Sequence, residues 1–424
     1  MPDRKQTPTI VDAVNFQLQL KPYRKITLGN GVEVISIDAG AEEVMMIDWV
    51  FFAGNWYEEQ NLIAAAANFL LRNGTSEKTA FQLNEHFEYY GSYLNRACFN
   101  ETASVTLHSL TRHIGELLPV VREMFTDSQM PEEELAIFKQ NSKQRLQVNL
   151  KKSDFIAGRL IDACLYGEQH PYGKYTHMED FDAIIRDDIN SFYKKYYQEG
   201  KFIIFVAGRL PFNLDELLEK NFGDLPQQKV NVEVIPLKPA SEKKYRIIND
   251  ADGVQGSIRI ARPFPNRHHP DFLKTQVLNT LLGGFFGSRL MSNIREDKGY
   301  SYGVNSYLQN HVNHSAWMIS TEAGRDVSEA TITEVYNEMQ RLREGFIQEE
   351  ELSLVKNYLM GSLLGDLDGP FQIIGRWKNI ILNNLDESYF YNSINAIKSV
   401  TTVELRELAI KYLQPEQFYE IVVV

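Results

Sequence analysis

From Val32 to Ile37 apolar and polar side chains alternate with the period of two that a half-buried strand requires. Gly29-Asn30-Gly31 separates this run from another short stretch at 24–28, so the pattern predicts a hairpin. A second apolar strand is predicted at 47–53. At 62–72 the spacing becomes helical. Leu62, Ala65, Ala66, Phe69 and Leu70 share one face, which predicts Ala65 and Phe69 as core. Alternation returns at 100–110. Residues 113–150 predict two helices broken by a turn at 127–131, followed by helices at 154–165 and 187–197 and a strand at 202–207. Strands interleaved with long helices indicate an α+β class.

The pattern is written twice. Glu-Glu-Glu-Leu begins at Glu132 and again at Glu349, 217 residues later, with Lys139 and Lys356 at matching offsets. Lys195, Tyr196, Gln198 and Phe202 recur as Lys411, Tyr412, Gln414 and Phe418, 216 residues on. Phe155, Gly158 and Arg159 are echoed by Phe371, Gly375 and Arg376. Two motifs sharing one spacing predict two homologous domains, each a mostly antiparallel sheet packed against helices. The boundaries are set at 1–224 and 244–424, with a Pro-containing linker at 225–243.

Composition narrows the function. A formal net charge of −12 over 424 residues excludes nucleic acid as the expected partner, because phosphate binding requires clustered Lys and Arg. No run of about 18 apolar residues is present, so no membrane-spanning helix is expected. Residues 1–16 lack the apolar core of a signal peptide. Cys98 and Cys164 form no Cys-x-x-Cys pair and are expected as buried thiols, which points to the cytoplasm.

Several segments then fall in one order: Leu28-x-Asn30-Gly31, Gly54-Asn55-Trp56-Tyr57-Glu58, Asn73-Gly74-Thr75 and His170-Pro171-Tyr172-Gly173. Leu282-Gly283-Gly284, Ser288-Arg289-Leu290 and Ile294-Arg295-Glu296 complete the series. With the duplication, this series resembles the pitrilysin/insulinase family of zinc peptidases across nearly the whole chain. Enzymes of that family carry His-x-x-Glu-His on the helix before the Gly-Thr: two imidazoles one turn apart bind zinc and the Glu polarises water. By the resemblance those positions are Ala65, Asn68 and Phe69, and the third ligand falls at Arg145. None of the four can serve. Ala65 has no donor, Phe69 is apolar, Asn68 is a poor base, and Arg145 repels a cation. No replacement cluster of His residues has metal-ligand spacing, so no metal is expected in this chain.

The family also uses an Arg and a Tyr seven residues apart in its second half, and here they match Arg295 and Tyr302, with Tyr300 the competitor if the register slips. A guanidinium and a phenol are donors able to hold a substrate carbonyl and stabilise an oxyanion. The resemblance therefore implies a non-catalytic subunit without activity of its own. Its partner would be a homologous subunit with His-x-x-Glu-His and zinc, and its substrate an unfolded peptide. Two other readings stay open: a structural or peptide-binding protein with no proteolytic role, and a self-paired homodimeric clamp without zinc.

Overall fold

A computed structural model describes residues 11–228 and 234–424. The first half opens with a hairpin of β1 (Arg24–Thr27) and β2 (Glu33–Asp38), then β3 (Val44–Phe51). Next come α1 (Ile63–Leu70), α2 (Ala80–Tyr89), β4 (Tyr93–Cys98) and β5 (Ala103–Leu110). Helices α3 (Ile114–Asp127), α4 (Glu132–Asn149), α5 (Ser153–Tyr166), α6 (Asp180–Ala183) and α7 (Arg186–Tyr193) follow. Strand β6 (Phe202–Gly208) and α8 (Leu214–Phe222) complete it. The second half contains β7 (Lys244–Ile247), β8 (Gln255–Phe264), α9 (Phe272–Asn279), β9 (Ser301–Asn310) and β10 (Ser315–Gly324). It continues through α10 (Ser328–Glu344), α11 (Glu349–Gly365), α12 (Pro370–Leu382), α13 (Glu387–Ser399) and α14 (Thr402–Tyr412) to β11 (Tyr419–Val423).

The sheets have the orders β1-β2-β6-β3-β5-β4 and β7-β11-β8-β10-β9. In each, one pair is parallel (β2 with β6, β7 with β11) and the others are antiparallel. Without β1 the two orders coincide, and the paired motifs fall on equivalent elements, the Glu triplets opening α4 and α11. Those triplets place negative charge on the positive end of each helix dipole. Strand β4 was not anticipated. Its run Tyr-Leu-Asn-Arg-Ala-Cys is amphipathic only because one face lies over α1.

The halves are laced together. Helix α5 of the first half packs on β8 and β11 of the second, and α12 of the second packs on β6 and β2 of the first. Ala157, Ile161, Leu165 and Tyr166 thus share a core with Ala261, Met318 and Ile421. The N-terminal segment crosses too: Trp377 donates to Lys21 O at 2.8 Å and Lys398 to Phe16 O at 2.9 Å. Covering each sheet with the other half's helix explains why both faces of β3 are apolar, Ile47 and Trp49 facing their own helices and Val50 the opposite half. Of the linker, 229–233 lie outside the described residues. Lys238 N and Ala240 N bond to the carbonyls of Tyr166 and Cys164 at the end of α5.

Three imidazoles meet at this seam. His311 Nδ1 faces the Asn100 amide at 3.2 Å, and its ring stacks on Tyr172 with centroids 4.0 Å apart. His170 Nδ1 accepts from Tyr172 N at 3.1 Å, and both His170 Nε2 and His314 Nε2 reach Ile235 O. Glu101 is the carboxylate facing them, accepting from Tyr172 Oη and from Val312 N. Protonation of His170 Nδ1 breaks the bond that Nδ1 accepts. Burial, then the neighbouring imidazoles, push His311 down to about 4, and burial lowers His170 as well. Both folded values lie below the ordinary histidine value of about 6.5, so the unfolded chain takes up these protons first. Their contribution to stability is complete above about pH 6.5 and is lost as pH falls towards 4. Asp162 on α5 acts in the opposite sense. Burial raises it to about 7, so its contribution falls as pH rises from about 4 to 7. Over pH 7 to 5 the two senses largely offset each other in the parent, so urea unfolding of single variants separates them. His311→Gln should remove up to about one proton, about 1.4 kcal/mol per pH unit, of acid-induced loss, and Asp162→Asn should make stability fall more steeply with acid.

Candidate functional site

The vacated helix is α1. It enters through Leu62 in the left-handed region (φ 78), and Glu58 Oε2 accepts from Ala64 N at 3.0 Å. Glu58 is buried, which raises its pKa, while Lys174 at 2.9 Å acts against the rise. This carboxylate caps the helix start, offsetting part of the strain at Leu62.

Ala64, Ala66, Ala67 and Leu70 are the fully buried apolar residues of α1, whereas Ala65 and Phe69 are half-buried and pack against the core from outside. The predicted core face is therefore rotated, and Asn68 lies deeper than either. Asn68 is 3 % exposed and donates through Nδ2 to Tyr197 Oη at 3.1 Å and to Ser104 O at 3.4 Å. Its amide holds α1 to β5 and to the π-helical stretch Lys194–Gln198 that follows α7.

Phe69 faces Phe138 of α4, ring centroids 5.2 Å apart. Arg145 is exposed and lies two turns further along α4, about 10 Å from that contact. Sequence reasoning missed Arg96. Its guanidinium lies 5.0 Å from the centre of the Phe69 ring and donates to Phe69 O and to Asn73 Oδ1. Burial lowers its pKa to about 10, leaving it cationic at neutral pH. A methyl, a committed amide, a stacked phenyl and a fixed cation do not fit zinc. Among the described residues no group of three or more His, Cys, Asp or Glu is arranged to hold a metal.

The other predicted pair lies in the second half. Arg295 is in a π-helical stretch, Met291–Asp297, a geometry enriched at functional positions. Asn293 anchors this stretch, its Nδ2 donating to Glu338 Oε1 at 2.6 Å and Glu334 Oε2 at 3.0 Å. Arg289 forks onto Glu351 at 2.7 and 2.8 Å, tying the preceding turn to α11. The Arg295 guanidinium lies over the Phe286 ring at 4.6 Å and forms no ion pair among the described residues.

Tyr302 is 91 % exposed, whereas Tyr300 packs against the core and donates through its backbone to Ile294 O. The ladder between β9 and β10 shifts register here: Ser301 pairs with Ala323 and Val304 with Thr321. Tyr302 and Gly303 therefore oppose Glu322 alone, a β-bulge that turns a side chain out of the pleat. Hydroxyls lock the bulge. Ser301 Oγ lies 2.8 Å from Thr321 Oγ1 and 2.8 Å from Gly303 O, and it accepts from Gly303 N at 3.1 Å. Among the described residues no hydrogen bond joins Arg295 to Tyr302, and none joins either to Ala65, Asn68 or Phe69.

The glycine turn before Arg289 has a packing role. A Cβ on Gly283 would lie 2.7 Å from Ser306 Cβ, so close approach of β9 requires glycine there.

Residues 183–359 match the family model described as "Peptidase M16 inactive domain". The chain is 24% identical over 391 residues to the uncharacterized zinc protease YmxG of Bacillus subtilis, spanning 88% of this chain and 92% of that one. It is 25% identical over 328 residues to the non-peptidase homolog YmxG of Helicobacter pylori, spanning 74% of each. Among solved structures, a peptidase M16 inactive domain from Pseudomonas fluorescens superposes with a TM-score of 0.84 at 22% identity, over 95% of this chain and 98% of that one. The periplasmic protease PqqL of Escherichia coli matches with a TM-score of 0.78 at 16% identity, over 100% of this chain but 48% of PqqL. Fold and matched segment agree: residues 183–359 match the inactive-type M16 peptidase domain, and the chain as a whole has the fold of the solved M16 structures it superposes on.

Proposed function

We propose that this chain is the non-catalytic subunit of a heterodimeric zinc peptidase. In this reading it helps enclose an unfolded peptide and presents Arg295 and Tyr302 to the active site of a homologous partner carrying His-x-x-Glu-His and zinc. The observation that carries the reading is the locked bulge at Tyr302. A lone exposed tyrosine is unremarkable. One held outward by three hydroxyl and amide bonds, with Arg295 fixed in an anchored π-helical turn nearby, is pre-organised for a ligand outside its own chain. The length relation to PqqL supports the same view, since a protease about twice as long has room for a second unit of this size. The cytoplasm and two free thiols, Cys98 and Cys164, belong to this reading.

A second reading is a structural or peptide-binding protein without proteolysis, and the name of the Helicobacter pylori relative, a non-peptidase homolog, favours it. Co-purification with a His-x-x-Glu-His homologue, followed by zinc analysis and peptide cleavage, separates the two. The first reading expects one zinc per heterodimer and cleavage only by the pair. Zinc bound stoichiometrically by this chain alone, or full cleavage by the partner alone, would sink it. A homodimer that binds peptide without cleaving it would favour the second.

A further inference from the structure

A cavity of about 290 Å³ lies within the second half, away from Arg295 and Tyr302. It is walled by α9, the end of β9, α11, α12 and α13, with Arg267 and Arg376 among its lining residues. No aspartate or glutamate lines it. Thr280, Asn310, Ser362, Asn379, Tyr389 and Ser393 supply hydroxyl and amide groups instead.

The two guanidiniums are under-compensated. Arg376 pairs with Asp366 at 2.9 Å, outside the lining. Arg267 forms no ion pair among the described residues and donates only to the Asn379 amide oxygen. Each arginine also has a buried Nε–H without a hydrogen-bond partner. A buried donor left unmade costs about 1–3 kcal/mol, and two like charges brought together add repulsion. Burial pushes Arg267 below its ordinary value, Tyr389 acts against this, and the charge of Arg376 adds to it. Water or a bound anion can supply the missing acceptors, and two guanidiniums converging on one cavity favour the anion.

The geometry points to an anion site in this cavity, shaped for a small dianion such as a phosphate group or a dicarboxylate. Guanidinium forks match both oxyanions, and the volume leaves room for a carbon skeleton attached to the charged group. Asn379 and Ser362 are exposed, which places the mouth of the cavity between α11 and α12.

The test uses the full chain, titrated calorimetrically with sodium phosphate and with sodium malonate against sodium chloride of equal ionic strength. One saturable site per chain is expected for at least one anion, with thermal stabilisation that chloride does not give. Response to phosphate alone identifies a phosphate-bearing ligand, and response to malonate alone a dicarboxylate. Arg267→Gln and Arg376→Gln should each weaken binding at least tenfold. Ser362→Glu, at an exposed position, should do the same while the free protein melts no lower than the parent, so loss of fold cannot mimic the result. Arg112→Gln, in the other half, should bind as the parent does. Absence of saturable binding by either anion, or parental affinity in both Arg267→Gln and Ser362→Glu, would overturn the assignment.

Discussion

Replacing Lys378 by methionine is expected to destabilise the chain by about 1.5–3 kcal/mol, read as a lower midpoint in urea, because it removes the charged donor of a buried carboxylate. Asp48 lies mid-strand in β3 and is 2 % exposed. It accepts from Thr106 Oγ1 at 2.9 Å and from Lys378 Nζ at 2.8 Å, the latter reaching across from α12 of the other half. With the ammonium gone, Asp48 keeps one neutral donor, Thr106 Oγ1, and its second oxygen loses its charged partner. The double variant Asp48→Leu with Lys378→Met should recover most of the loss, since a buried ion pair and an apolar pair of similar volume differ little. A single variant within about 0.5 kcal/mol of the parent would show that water already solvates Asp48.

The same site illuminates how the halves choose each other. Asp48 is aligned with Phe205; the 216-residue repeat carries Phe205 to Ile421, and the residue aligned with Ile421 is Arg259. On the exchanged helices, Lys378 faces Asp48, while Asp162 lies close enough to Arg259 to feel its charge and accepts from Gln309 at 3.2 Å. Each exchanged helix thus carries a charge opposite to one on the sheet it covers, and the signs are inverted between the two interfaces. A helix docked on its own half's sheet would bring Asp162 towards Asp48, or Lys378 towards Arg259. Like charges in that layer disfavour the uncrossed arrangement, so the polar pairs add specificity where the apolar surfaces alone are interchangeable.

What was legible in the sequence follows from which signals are local. The duplication was readable because Glu-Glu-Glu-Leu and Lys-Tyr-x-Gln sit at fixed places in equivalent helices, and hairpin and helix periodicities need only near neighbours. The exchange of α5 and α12 was not readable. An apolar helix face looks the same whether it covers its own sheet or another, and only Asp48 inside an apolar strand hinted at a charged visitor. On α1 the periodicity placed Ala65 and Phe69 in the core, and the family resemblance left Asn68 as a failed base. In the fold the helix is enclosed on most sides, so the amide is the buried member and the phenyl looks outward to Phe138 and Arg96. Arg96 itself was unreadable, because it comes from β4, which has no periodic signature apart from its packing on α1.

The largest functional effect is expected at the bulge and its neighbour. In a reconstituted heterodimer, Arg295→Ala should lower kcat/KM by about 10²–10³, the usual loss when one oxyanion donor is removed. Tyr302→Phe keeps the ring and deletes only the hydroxyl, so a fall of about 10² at unchanged heterodimer and zinc content would assign the effect to the donor. Stability should not move. Tyr302 is almost wholly in solvent and Arg295 rests on an exposed Phe286, so each change is expected within about 0.5 kcal/mol of the parent in urea. Tyr300→Phe serves as the internal control, because Tyr300 packs against the core beside the same turn; under this reading it leaves turnover unaltered. The outcomes are separable. A large loss at 295 and 302 with none at 300 supports donation across the subunit interface. Equal, small effects at all three would leave the pair as ordinary surface residues and return the chain to a structural role.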